Sequence, residues 1–211
     1  MNSQTQKLPL EGAAGVIEAQ RDSPVEGVAP RGVAVIAHPH PLFGGTMDNK
    51  VVQTLARAFV ACGWTAVRFN FRGVGESAGV HDEGRGEAED YCAVVAQVAP
   101  EGPLAIAGFS FGAFVAIQAT QTLWMQREVA KLTLVGASVA RVVPPALPED
   151  ARDRTLVVHG EADDTVALSA VMDWARPQSL PVTVVPGGGH FFHGQLPLLK
   201  NLVVRHLRAD L

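Results

Sequence analysis

Apolar and polar positions along this chain follow two alternating rhythms. Short, nearly unbroken apolar runs at residues 32–37, 65–71, 104–109, 131–136, 155–159 and 182–185 have the length and composition of strands buried on both faces. Residues 12–20 form a weaker strand candidate. Between these runs the apolar positions recur every three or four residues. Residues 47–62 put Val51, Val52, Leu55, Ala58, Phe59 and Ala61 on a helical stripe that stops at Gly63. Residues 87–98 align Tyr91, Val94, Val95 and Val98 and end before Pro100, and helical spacing returns at 111–125, 166–174 and 196–207. Strand and helix in alternation predict an α/β fold: a mostly parallel, twisted sheet with helices on both faces and right-handed crossovers. Ligands of such sheets bind at the carboxyl ends of the strands.

One junction between the two rhythms carries chemistry. The run Leu104 to Ala107 leads into Gly108-Phe109-Ser110-Phe111-Gly112, and helical spacing begins at once with Phe111, Phe114, Val115 and Ile117. A strand, a sharp turn and a helix are the setting of a nucleophile elbow, which holds a serine hydroxyl out of the sheet. The turn is tight enough that a side chain two residues to either side would strike backbone, so Gly108 and Gly112 leave room. The same pentapeptide pattern occurs at Gly75-Glu76-Ser77-Ala78-Gly79. There, loop residues separate it from the strand and polar residues follow it, so Ser77 reads as a loop serine.

A serine hydroxyl needs a base to take its proton and an acid to orient that base. The acid is sought after the strand at 155–159, in Gly160-Glu161-Ala162-Asp163-Asp164; Asp163 is the choice, with Asp164 as a possible helix cap and Glu161 as a further rival. The base is sought after the strand at 182–185, where Gly187-Gly188-Gly189 let the backbone carry His190 back over the strand ends. His193, His38 and His40 compete with it. The order Ser110, Asp163, His190 is that of nucleophile-elbow enzymes. An oxyanion hole needs two backbone N–H donors. One is Phe111, at a helix N-terminus. The other comes from His38-Pro39-His40-Pro41-Leu42-Phe43-Gly44-Gly45, where the prolines have no N–H to offer, which leaves His40 or Leu42.

Through these motifs the chain resembles the α/β-hydrolase superfamily over essentially its whole length. The 38–49 stretch is similar to a subgroup of small bacterial hydrolases related in shape to dienelactone hydrolases; those use a cysteine where this chain has Ser110. Asn70-Phe71-Arg72-Gly73-Val74-Gly75-Glu76-Ser77 resembles a second family stretch, a loop after a strand, with Asn70 where many members carry Asp. Lids in the superfamily are commonly inserted after the strand that ends here near Gly136. Only residues 137–152 follow before the next strand, so the resemblance implies a lidless, open site. Its implied activity is hydrolysis of esters or thioesters by a Ser-His-Asp triad, with a peptidase or amidase on the same residues, or a non-catalytic binding protein of the same fold, as alternatives.

Composition narrows the setting. The 211 residues predict one domain, with residues 1–10 as a polar N-terminal extension. A net charge of −4 offers no basic footprint for nucleic acid or anionic lipid. No apolar stretch has the length to span a bilayer, and residues 1–10 lack the core of a secretory signal, so a cytoplasmic protein is expected. Cys62 and Cys92 read as free, mostly buried thiols. The expected partner is a small-molecule acyl substrate, bound with the help of Phe43 and Phe191, and the chemistry requires neither a metal nor an organic cofactor.

Overall fold

A computed structural model describes residues 5–24 and 29–209. Eight strands, β1 (Thr5–Gly12), β2 (Gly15–Asp22), β3 (Val33–Ala37), β4 (Thr65–Phe69), β5 (Leu104–Phe109), β6 (Val129–Val135), β7 (Thr155–Gly160) and β8 (Val182–Val185), form a single sheet in the order β1-β2-β4-β3-β5-β6-β7-β8. β1 pairs with β2, and β2 with β4, antiparallel; all other neighbours are parallel. The helices are α1 (Lys50–Ala61), α2 (Arg85–Val98), α3 (Phe111–Gln126), α4 (Leu168–Ala175) and α5 (Leu196–Arg208).

Two cores explain why the strands read as unbroken apolar runs. One face of the sheet, through Val35, Val67, Phe69 and Ile106, packs on Tyr91, Val94 and Val95 of α2, on α3 and on Val171 of α4. The other, through Ala34, Ile36, Ala66 and Ala107, packs on Val52, Leu55 and Phe59 of α1 and on Leu199 and Val203 of α5. A strand buried on both faces has no polar side to alternate with.

Element boundaries differ from the sequence reading where local bonds intervene. α1 begins at Lys50 rather than at 47, because Asn49 Oδ1 caps the N–H of Val51 while the N–H of Met47 is taken by Asn70 Oδ1. β4 ends at Phe69, since the N–H of Phe71 leaves the ladder for His38 Nε2. The expected N-terminal extension is corrected at residues 5–10, which belong to β1. That strand pairs over its whole length with β2, with Leu10 buried and Leu8 packed against the core. Pro9 and the charged Lys7 and Glu11 hide its alternation, which an edge strand tolerates. Residues 1–4 lie outside the described residues. Among the described residues no helix is long and apolar enough to cross a membrane.

The parallel strands share one direction, so the carboxyl ends of β3, β5, β6, β7 and β8 face the same edge. The loops predicted to carry chemistry all leave from that edge.

Candidate active site

Ser110 sits between β5 and α3 with φ 57° and ψ −118°, a conformation that L side chains seldom adopt and that costs on the order of 1–3 kcal/mol. The surroundings hold it there. Its N–H donates to Val135 O at 2.8 Å, and its carbonyl accepts from the N–H groups of Ala113, Phe114 and Ser138. The flanking glycines are sterically required: a Cβ on Gly108 would lie 2.2 Å from Gly112 O, and one on Gly112 would lie 2.4 Å from Ala37 O. That second approach presses the start of α3 against the end of β3 and brings Phe111 beside the 38–45 loop.

His190 and Asp163 meet the serine in a hydrogen-bonded line. His190 Nε2 is 2.9 Å from Ser110 Oγ, and His190 Nδ1 is 2.7 Å from Asp163 Oδ2. All three side chains are buried. With Nδ1–H donating to the carboxylate, Nε2 is left to accept the serine proton. Asp163 Oδ1 accepts from the N–H groups of Thr165 and Val166. Burial opposes the charge on Asp163, but the bonds from His190, Val166 and Thr165 outweigh it and hold the carboxyl below its ordinary range. Asp163 therefore stays ionised at neutral pH.

The rivals have other occupations. Asp164 is exposed and bonds Thr165 Oγ1 at 3.3 Å. Glu161 accepts from Gly187 N–H, which, with Ala162 N–H to Gly188 O, fastens the acid loop to the histidine loop. Within the glycine run, Gly187 alone has positive φ, at +63°, and the carbonyl oxygen of Gly188 comes so close to Gly160 that a Cβ there would lie 2.3 Å away. His193 stacks on Phe191, away from the serine. His38 is fully buried, its Nδ1 2.6 Å from Pro39 O and its Nε2 accepting from Phe71 N–H. Burial pushes it down to about 4, so it is a neutral tie between two loops. Ser77 has the same kind of duty: its Oγ accepts from Glu18 N–H and donates to Asn70 O. Asn70 in turn donates Nδ2–H to Glu18 Oε2 at 2.7 Å, a bond that an aspartate would replace with repulsion.

The two candidates for the second N–H donor separate. Leu42 N–H donates to His40 Nδ1 at 3.3 Å, whereas among the described residues nothing accepts from His40 N–H. Phe111 is the first residue of α3 and has no carbonyl one turn back to bond.

A cavity of about 510 Å³ adjoins Phe111 and is lined by His40, Leu42, Phe43, His81, Phe114 and Ser138, with Glu83, Arg85, Gln118, Arg141 and Val142 at its wall. Phe43 is 76% exposed at its rim. Phe191 lines a separate cleft with Gly44, Thr46 and Leu196, its ring edge-on to His190 at 5.1 Å and to Phe109 at 5.8 Å. His81, Phe114, Ser138 and Arg141 were missed by the sequence reading, because they come from elements far apart in the chain. Another cavity, about 380 Å³, surrounds Arg68, whose guanidinium is already bonded to Asp22, Asp48, Gln20 and Met47 O.

Known proteins share this architecture. A family model described as X-Pro dipeptidyl-peptidase (S15 family) matches residues 21–140, a span that holds Ser110 and stops short of Asp163 and His190. An α/β serine hydrolase without a lid from Xanthomonas campestris is 37% identical, with a TM-score of 0.82 over 99% of this chain and 95% of that one. An α/β serine hydrolase homologue from Coxiella burnetii is 38% identical, with a TM-score of 0.83 over 96% of this chain and 97% of that one. An uncharacterised protein of Rickettsia prowazekii is 32% identical over 88% of this chain and 82% of its own length.

Proposed function

The chain belongs to the X-Pro dipeptidyl-peptidase (S15) family, an α/β-hydrolase family, and from that premise we propose that it cleaves carboxylic esters or thioesters of small to medium acyl groups by way of an acyl-enzyme on Ser110. The observation that carries the reading is the line of bonds from Ser110 Oγ through His190 to Asp163.

In this mechanism Ser110 attacks the acyl carbonyl as its proton passes to His190 Nε2. Asp163 keeps the imidazole in the receiving tautomer and stabilises the imidazolium that forms. The oxyanion is bound by the N–H groups of Phe111 and His40; the engagement of Leu42 N–H by His40 Nδ1 favours His40 as the second donor. Each such donor is worth ~2.7–4 kcal/mol of barrier. His190 then protonates the departing alcohol or thiol. Water attacks the acyl-enzyme with His190 again as base, and Ser110 is regenerated with its proton.

The family match favours a second reading, peptide cleavage. A dipeptidyl-peptidase must grip a free α-ammonium, which calls for an uncommitted carboxylate near the serine. The lining carboxylate, Glu83, is exposed and already lies 3.6 Å from Arg85, and the nearby Glu87 is buried and accepts from the N–H groups of Asp82 and Gly84. Ester hydrolysis therefore stands first. Turnover of p-nitrophenyl acetate and butyrate is expected from the wild type and not from Ser110→Ala, with a serine-directed phosphonate labelling Ser110. Wild-type rates no higher than the variant's, together with no labelling, would remove the hydrolase reading; release of X-Pro dipeptides with no ester turnover would exchange it for the second.

A further inference from the structure

The cavity beside Ser110 is furnished beyond what ester cleavage alone requires. Five rings line it, those of His40, Phe43, His81, Phe111 and Phe114. His40 lies 4.9 Å from Phe43, 4.8 Å from His81 and 4.8 Å from Phe111, while Phe111 lies 5.4 Å from His81 and 6.0 Å from Phe114, centroid to centroid. These separations leave the rings in mutual contact and their remaining faces and edges toward the cavity. Behind His81, the wholly buried Glu87 is held by the backbone N–H groups of Asp82 and Gly84, its Oε1 2.8 Å from His81 Nδ1.

The charges around the cavity do not cancel evenly. Arg85 is paired with Asp82 and Glu83. Arg141 also lines the cavity, and among the described residues no carboxylate forms an ion pair with it. Burial holds His40 below the ordinary imidazole range, with His81 and Arg141 acting in the same direction.

We propose that this cavity receives a planar aromatic group of the substrate, with Arg141 meeting an acidic substituent on that group. The inference rests on the ester-hydrolase reading and adds the substrate class. A flat ring gains edge and face contacts here that a saturated ring of similar size does not. A guanidinium binds a carboxylate through two parallel N–H bonds, and Arg141 has none to break first.

Two sets of esters test it, because the aromatic group can belong to either the acyl or the alcohol side. The first set is the monoethyl esters of 3-cyclohexylpropionate, 3-phenylpropionate and 3-(4-carboxyphenyl)propionate; the second is the acetates of the three corresponding propanols. In one set kcat/KM is expected to rise about fivefold from cyclohexyl to phenyl. It should rise about fivefold again with the carboxylate, the second step shrinking as salt is added. Phe43→Leu should lower the phenyl-to-cyclohexyl ratio, and Arg141→Gln should bring the carboxyphenyl-to-phenyl ratio to about one. Ratios near one in both sets, from protein that cleaves p-nitrophenyl acetate or butyrate, overturn the proposal and leave the hydrolase reading standing. If neither p-nitrophenyl acetate nor p-nitrophenyl butyrate is cleaved, the ester-hydrolase reading falls. Calorimetric binding of the three propionic acids, judged by the same two ratios and the same two variants, then decides the cavity.

Discussion

Gly108-Phe109-Ser110-Phe111-Gly112 and Gly75-Glu76-Ser77-Ala78-Gly79 obey one pattern and do opposite things. At the first, Ser110 is held at positive φ, its backbone bonds saturated and its hydroxyl free to face His190. At the second, the serine is an ordinary buried bridge, its hydroxyl spent on Glu18 N–H and Asn70 O. The glycines differ in the same sense. Gly108 and Gly112 are needed because fixed backbone comes within 2.4 Å of where a Cβ would stand, whereas Gly75 and Gly79 hold φ of +56° and +85° in a turning loop, where a Cβ would meet side chains, Glu18 Oε2 at 2.3 Å and Ala14 Cβ at 2.7 Å. A short motif thus specifies local crowding or turning; whether it makes a nucleophile depends on what faces the hydroxyl.

The comparison can be broken at several points. The largest effect is expected from Ser110→Ala, which should lower kcat/KM for p-nitrophenyl butyrate by at least about 10⁴-fold with the melting temperature little changed. Ser77→Ala should leave the rate within a few-fold. Asp163→Asn comes next: it should cost about 10³–10⁴-fold in kcat by favouring the wrong tautomer of His190, while Asp164→Asn stays within a few-fold. Equal losses for the two aspartates would undo the assignment. Gly112→Ala should then destabilise the fold by more than ~3 kcal/mol, because the new methyl meets fixed β3 backbone rather than a mobile side chain. Denaturant unfolding of that variant beside Gly79→Ala, where the nearest atom is Ala14 Cβ at 2.7 Å, measures how much tighter the elbow is.

Smaller effects belong to the loop around Ser77. His38, which anchors its start through Phe71 N–H, is held down to about 4 from an ordinary 6.5. Between those values the unfolded chain binds a proton that the folded protein refuses, so stability falls as pH drops from 6.5 to 4 and this group takes nothing further below that. Its full contribution is about 3 kcal/mol. Urea unfolding at pH 7 and pH 5 should show the loss, and His38→Gln should flatten the slope. Ser77→Ala should destabilise by about 2 kcal/mol, from one buried and one part-buried backbone group left without the hydroxyl. No loss of stability there would return Ser77 to the list of unexplained serines.

Legibility varied with the range of the interaction. The strand-to-helix junction at Ser110 was readable because its apolar run, glycines and helical stripe are contiguous. Asp163 over Asp164 was a weaker inference. The two are adjacent, and the turn at 163–166 decides which one faces inward by giving Asp163 Oδ1 the N–H groups of Thr165 and Val166. β1 was hidden because an edge strand carries polar residues and Pro9 without penalty. Phe43 and Phe191 line two different clefts, a division that sequence proximity to the triad does not reveal.

The order of chemical groups along the chain was settled by the sequence alone: local steric and periodic rules are properties of neighbouring residues, and they put a serine, an acid and a histidine each just after a strand. Tertiary structure decided everything that depends on direction and vacancy. Which N–H remains unbonded, which serine hydroxyl is already used, and how His81 joins Phe114 and Arg141 around one cavity are set by the sheet order, which brings to one edge loops that lie dozens of residues apart.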